Sequence, residues 1–254
     1  MNLPESMMAH FDYLDWILHF EENDRRRLEM DFSLEAELSK RERRLIFPSI
    51  RAFQKGEGSD GRYLMETVED FAEESGESDY PQAMRWFIME ENYHSSYLKQ
   101  VMNYYGVPGA RRNLLDRIFR RIRKGGGIRR EVTVLVTAEI IALSYYQALS
   151  ACSSSPALHR VCDQMLLDEE PHVVFQSYTL GHFPVSRIQS VKRKFLMNGS
   201  CFAVYLRYGR LFRKGGYPLK RLLRESREIL RQSEEIAAGI SAELVGKEKA
   251  GAQV

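Results

Sequence analysis

Apolar residues recur along this chain at intervals of three and four, and no run of alternating β-branched residues bounded by turn dipeptides interrupts them. The pattern predicts an all-α protein. Ser39 and Glu42 have capping-box spacing and open a long helix that runs to about Glu74, bent at Pro48, whose ring leaves no N–H for the ladder. A second runs from about Pro81 to Tyr105 and stops at Gly106 and Pro108. A short basic helix, about Arg111 to Lys124, ends at three glycines and leads into a third long helix, about Arg129 to Ser153. Ser155 and Pro156 carry the N-cap and N1 signature of a fourth, which reaches about Leu180. Residues 1–35 form a helical preface, 36–183 the bundle proper, and 184–254 a further two or three helices with a frayed tail.

The third long helix sharpens the picture, because between Val132 and His159 its single charged residue is Glu139. It resembles a membrane span, which needs about 20 predominantly apolar residues. Thr133, Thr137, Ser144, Gln147 and Ser150 make it too polar for one, so it is expected at the centre of a bundle, with no membrane span in the chain. An ionised carboxylate there costs several kcal/mol unless a cation compensates it. Glu139 also lies on the inward seam Val132, Leu135, Glu139, Ala142, Tyr146, Leu149.

Each of the other long helices repeats this feature. The first reads Ile50, Phe53, Glu57, Gly61, Leu64 along its seam, the second Phe87, Glu91, His94, Leu98, and the fourth Cys162, Met165, Glu169, His172, Gln176. Four helices thus point one glutamate each into an apolar seam, and two add a histidine one turn along the same face. Four carboxylates cannot share a dry core as bare anions. A pair of divalent cations would neutralise them, and imidazole with carboxylate suits iron or manganese better than calcium. A Glu from each of two helices and Glu-x-x-His from each of two others is the ligand set of di-metal carboxylate bundles. The alternative is a metal-free bundle whose acids pair with Arg or Tyr. Glu90 and Glu170 compete with Glu91 and Glu169 but lie less well on the seam.

The stretches FQKGEGSDGRYL, EENYHSSYLKQVM, TAEIIALSYY and LLDEEPHVVFQ resemble the helices of rubrerythrins, within the ferritin-like di-iron superfamily, over roughly residues 45–182. The resemblance implies a ferritin-like four-helix bundle with N- and C-terminal helical extensions, holding two iron ions, or manganese and iron. It assigns Glu57, Glu91 and His94 to one ion and Glu139, Glu169 and His172 to the other, with Glu91 and Glu169 able to bridge. Asp168, directly before Glu169, would accept a hydrogen bond from the non-ligating nitrogen of His94 and fix its tautomer. The implied chemistry is activation of O2 or peroxide, with oxidation or hydroxylation of a small organic substrate. Rubrerythrins carry an iron-thiolate module; this chain has no Cys-x-x-Cys to build one, so reductant would come from an external reductase. Pro171 departs from the pattern, and a kink or π-bulge is expected there, loosening the ligand geometry.

Charge and composition exclude other classes. The net charge of +2 gives no overall bias toward nucleic acid, but residues 187–254 carry 15 basic against 6 acidic side chains, on an otherwise acidic body. That basic face reads as a solvated surface, a docking patch for an acidic partner or reductase, or a contact with RNA or membrane, and contains no nucleic-acid motif. A homodimer is also open to the chain. Three cysteines without metal spacing and a start lacking a secretory pattern suggest a cytoplasmic protein. Gly56, Gly58 and Gly61 match a dinucleotide fingerprint, but without a strand before them they read instead as glycines permitting close helix approach. His10, His19, His159 and His182 read as packing or surface residues. Tyr63, Tyr93, Tyr145 and Tyr146 are candidate neighbours of the metals, with Tyr146 alone on a seam.

Overall fold

The computed structural model describes residues 2–58, 61–110, 126–184 and 186–251. Among them there is no strand: two short 3-10 turns, Leu3–Glu5 and Met7–His10, precede eight α-helices. These are α1 (Tyr13–Arg25), α2 (Lys40–Glu57), α3 (Arg62–Ser75), α4 (Tyr80–Tyr104), α5 (Gly127–Ser150), α6 (Pro156–Gly181), α7 (Arg187–Lys214) and α8 (Leu219–Gly251). The short basic helix expected over 111–124 lies outside the described residues.

Local chemistry sets the helix ends. Ser155 Oγ accepts from the Leu158 amide at 3.0 Å with Pro156 in the first turn, so α6 starts where the cap signature placed it. Ser39 Oγ accepts from the Glu42 amide at 3.2 Å to start α2, but the Glu42 carboxylate does not close the box. It accepts instead from Ser154 Oγ at 3.0 Å, tying α2 to the α5–α6 turn.

The expected single helix from Ser39 to Glu74 is two. The chain leaves the helix after Glu57 and re-enters it at Arg62 from Gly61, whose φ is +65°. A β-carbon at Gly61 would stand 2.6 Å from Ile88 Cδ1, and one at Gly58 2.9 Å from Ser95 Oγ, so both glycines also let the chain press on α4. Conversely, α2 and α6 run unbroken through Pro48 and Pro171, and no π turn forms at Pro171.

Helix α5 packs along α6, α2 and α3 succeed each other on α4, and α4 meets α6, which gives a four-membered helical core. The 18-residue apolar window of α5, mean hydropathy 1.5, is long enough to cross a bilayer but is 78% buried inside the fold, as in the core helix of a soluble protein. Helix α1 covers α4, while α7 and α8 pack on each other, on α5 and, through α8, on α6. The first N-terminal turn is pinned by the Leu3 amide donating to Gln232 Oε1 at 3.0 Å, and the start of α1 by Tyr13 Oη bonding Thr179 Oγ1 at 3.2 Å. All three cysteines are free and buried.

Candidate metal centre

Helices α4 and α6 each bring an acid-Glu-x-x-His segment to the middle of the bundle: Glu90, Glu91 and His94 from one, Asp168, Glu169 and His172 from the other. Glutamate and histidine three residues apart lie about one turn from each other on a shared face. One ligand atom from each of Glu91, His94, Glu169 and His172 falls within 4.8 Å of the other three. His172 Nδ1 is 3.1 Å from Glu91 Oε1 and 3.8 Å from Glu169 Oε2; His94 Nδ1 is 3.5 Å from Glu91 Oε1 and 3.7 Å from Glu169 Oε1. Each imidazole therefore faces both carboxylates. His94, Glu169 and His172 are wholly buried.

The atoms that face inward lack hydrogen-bond partners. His94 Nδ1, His172 Nδ1, Glu91 Oε1 and both oxygens of Glu169 are buried and unbonded. Leaving one such atom unsatisfied costs about 1–3 kcal/mol, more for charged groups. With one such atom from each of four residues brought together, the group forms a donor set that could hold a cation.

The opposite ring nitrogens are all engaged. His94 Nε2 lies 2.9 Å from Asp168 Oδ2, whose Oδ1 accepts from Gln164 Nε2 at 2.8 Å. His172 Nε2 lies 2.7 Å from Glu90 Oε2, whose Oε1 accepts from Asn23 Nδ2 at 3.0 Å. The arrangement is pseudo-symmetric: on each helix the acid preceding the inner glutamate holds the histidine of the other helix. A carboxylate takes a proton only from N–H, so each Nδ1 presents its lone pair to the cluster when the ring is neutral. Glu90 thus sits on the outer side of the histidines, and Glu91 on the inner.

Glu57 and Glu139 flank the cluster. Glu57 ends α2 and its Oε1 accepts from Tyr146 Oη at 2.5 Å; Glu139 is buried on α5. Burial first, then the charges of Glu91 and Glu169, push both carboxyls well above the usual carboxylate range. Burial acts to raise Glu91 too, but the imidazoles of His172 and His94 outweigh it and pull it well below that range. Burial alone would lower both histidines. For His94 the bond to Asp168 and the nearby Glu91 carboxylate win, and for His172 the facing carboxylates of Glu169, Glu90 and Glu91, so both rings lie well above 6.5. The protein without metal therefore holds protons at the sites a cation would claim.

The remaining candidates separate cleanly. Tyr145 stacks on Phe53 and donates to Ser49 Oγ at 3.2 Å, Tyr93 lies under the Arg27 guanidinium at 3.8 Å, and Tyr63 is 37% exposed. His19 contacts Asn23, His159 bonds the Ser153 carbonyl at 2.7 Å, and His182 stacks on Tyr13. Sequence reasoning missed Asn23 and Gln164, which no spacing rule connects to the seam. It weighed Glu90 only as a rival ligand, although the acid before each Glu-x-x-His was a readable signal. A cleft of about 20 Å³ lined by Phe20, Asn23, Arg27, Glu90, Tyr97 and Asp168 reaches the outer side of the histidines, with room for about one water.

Comparison of the chain with protein-family models, with curated proteins and with solved structures returns no match.

Proposed function

We propose that this cluster holds a dinuclear non-haem centre, two iron ions or manganese with iron, in a ferritin-like bundle, and that the chain is an oxidoreductase that uses O2 or peroxide to oxidise a small organic substrate. The observation that carries the reading is that Glu91, His94, Glu169 and His172 bring one ligand atom each within 4.8 Å of one another, among buried nitrogen and oxygen atoms with no hydrogen-bond partner. Mixed imidazole and carboxylate donors favour iron or manganese. In this reading Glu57, Glu91 and His94 would hold one ion and Glu139, Glu169 and His172 the other.

When bound, the reduced ions supply electrons for activating the oxidant. The chain supplies the rest. Asp168 and Glu90 keep the Nε2 protons in place and so orient both imidazoles. Tyr146 holds the Glu57 carboxylate by donating its hydroxyl proton. The rings of Phe87 and Phe20 stand 4.8 and 6.1 Å from that of His172 and keep bulk water from it. With no paired thiolates for an iron-sulfur module, electrons come from a separate reductase. Free buried cysteines fit a reducing cytoplasm.

A second reading of the same cluster is a non-catalytic metal-binding or ferroxidase-type protein, which needs the ligand set alone and no substrate cavity. Metal analysis of the purified chain and of Glu139→Ala tests the site: two ions per chain, reduced or lost in the variant, support it, and none in either refutes it. Stopped-flow spectra of the ferrous protein mixed with O2 separate the readings. Decay accelerated by an organic compound supports the oxidoreductase; decay indifferent to every compound supports metal handling.

A further inference from the structure

Helix α7 buries Met197, Cys201, Val204, Leu211 and Phe212 against the fold, yet its opposite face is apolar as well. Ile188 is 67% exposed, Val191 66%, Phe195 81%, Phe202 52% and Leu206 91%. Their spacing of 3, 4, 7 and 4 residues sets them in one stripe, about 27 Å long at 1.5 Å per residue. At 100° per residue, exposed Lys192 flanks the stripe on one side and exposed Arg187 and Lys194 on the other, while exposed Arg210 follows the kink at Tyr208. Between Arg187 and Lys214 the helix has eight cations and no acidic residue. Of these four cations, Lys194 has a carboxylate at 4.0 Å, Glu234; Arg187, Lys192 and Arg210 have none within that distance among the described residues. Singly exposed apolar residues are ordinary, but five in one stripe with cations along both edges are not.

We infer that the outer face of α7 docks on an anionic phospholipid surface, the stripe entering the headgroup boundary and the cations meeting lipid phosphates. Charge decides the occupant. A second copy of the chain seated symmetrically on this face would oppose cation to cation. The acid-flanked apolar pair elsewhere on the chain, Leu14 and Leu18 beside Asp15 and Glu22, spans only about 6 Å against the 27 Å stripe. Nucleic acid would meet the cations but leave five large apolar side chains in water. An interfacial helix with an apolar face edged by Lys and Arg matches an acidic bilayer on both counts. The inference is independent of the metal reading.

Co-sedimentation of the full chain with phosphatidylcholine vesicles, with and without phosphatidylglycerol, tests it. The chain is expected to sediment with the anionic vesicles alone, and less so as salt rises. Lys192→Glu is expected to weaken partitioning by about fivefold or more. Phe195→Asp with Leu206→Asp should abolish binding while leaving the thermal melt unchanged, because both side chains already face water. Leu167→Asp, at a 70% exposed leucine on α6, should bind like the parent. Failure of the parent chain to sediment with anionic vesicles would overturn the proposal, as would undiminished binding by the double variant. So would a parent that self-associates, ignores vesicles and becomes monomeric in the double variant.

Discussion

His94 and His172 each make one bond outward and leave one nitrogen inward, and the outer bond decides what the inner nitrogen can do. Asp168→Asn and Glu90→Gln each remove a charged acceptor without changing shape. Metal titration is expected to show about 10–100-fold weaker binding in either variant, and unchanged affinity in both would mean that the histidines are not ligands. The spacing of Glu91 with His94 and of Glu169 with His172 was legible because 3.6 residues per turn places both on one face. Glu90 and Glu91 could be ranked but not settled, since a modest rotation of α4 exchanges inner and outer roles. Asn23 was illegible: it reaches Glu90 from α1, 67 residues away, through tertiary packing alone. His182 adds an acid-sensitive contribution of its own. Burial lowers His182 from 6.5 to about 4, although its Nδ1 is 3.7 Å from Glu77. The unfolded chain binds this proton first as pH falls, so stability present above pH 6.5 is lost toward pH 4. His182→Phe is expected to flatten the melting temperature across that window relative to the parent.

At the scale of elements, the turn between α2 and α3 is where periodicity and structure part. Phe53, Glu57, Leu64 and Val68 keep helical phase across the interruption, so the seam alone could not reveal it. What breaks the helix is Gly61 at φ +65° against Ile88. Gly61→Ala is expected to destabilise the fold by at least about 1 kcal/mol, through the left-handed backbone and the contact with Ile88. Gly56→Ala, inside α2 where a β-carbon meets nothing within 4 Å, is expected to stabilise by up to about 1 kcal/mol. Equilibrium denaturation compares the two; shifts of the same sign would remove the structural distinction between these glycines. The prolines mislead in the opposite direction. A lost N–H predicts a break in the ladder at Pro48 and Pro171, but neither ends its helix: Pro48 lies on the exposed side of α2 and Pro171 is buried within α6.

For the molecule as a whole, the all-α class and the central place of α5 could be read from hydrophobic pattern alone, because a helix apolar all round has no other stable position in a soluble bundle. How α1, α7 and α8 clothe the core could not, since their contacts join helices distant in sequence through tertiary packing, which no local periodicity reports. Charge at the centre couples the fold to its cations. In the protein without metal, His94, His172, Glu57 and Glu139 all titrate above their ordinary values. The folded state then binds more protons than the unfolded one, so the stability these groups contribute is present at low pH and lost as pH rises through their raised values. Chelator-treated protein is expected to melt at lower temperature as pH goes from mildly acid to mildly alkaline, and metal to cancel that trend; an identical slope with and without metal would contradict it.

Anomalous diffraction at the iron and manganese absorption edges, from crystals of the metal-loaded chain, addresses the central claim most directly. The account predicts two peaks flanked by His94 Nδ1 and His172 Nδ1, with Glu91 and Glu169 between them. Imidazolium rings clasped by those carboxylates, with no anomalous scatterer among them, would contradict it.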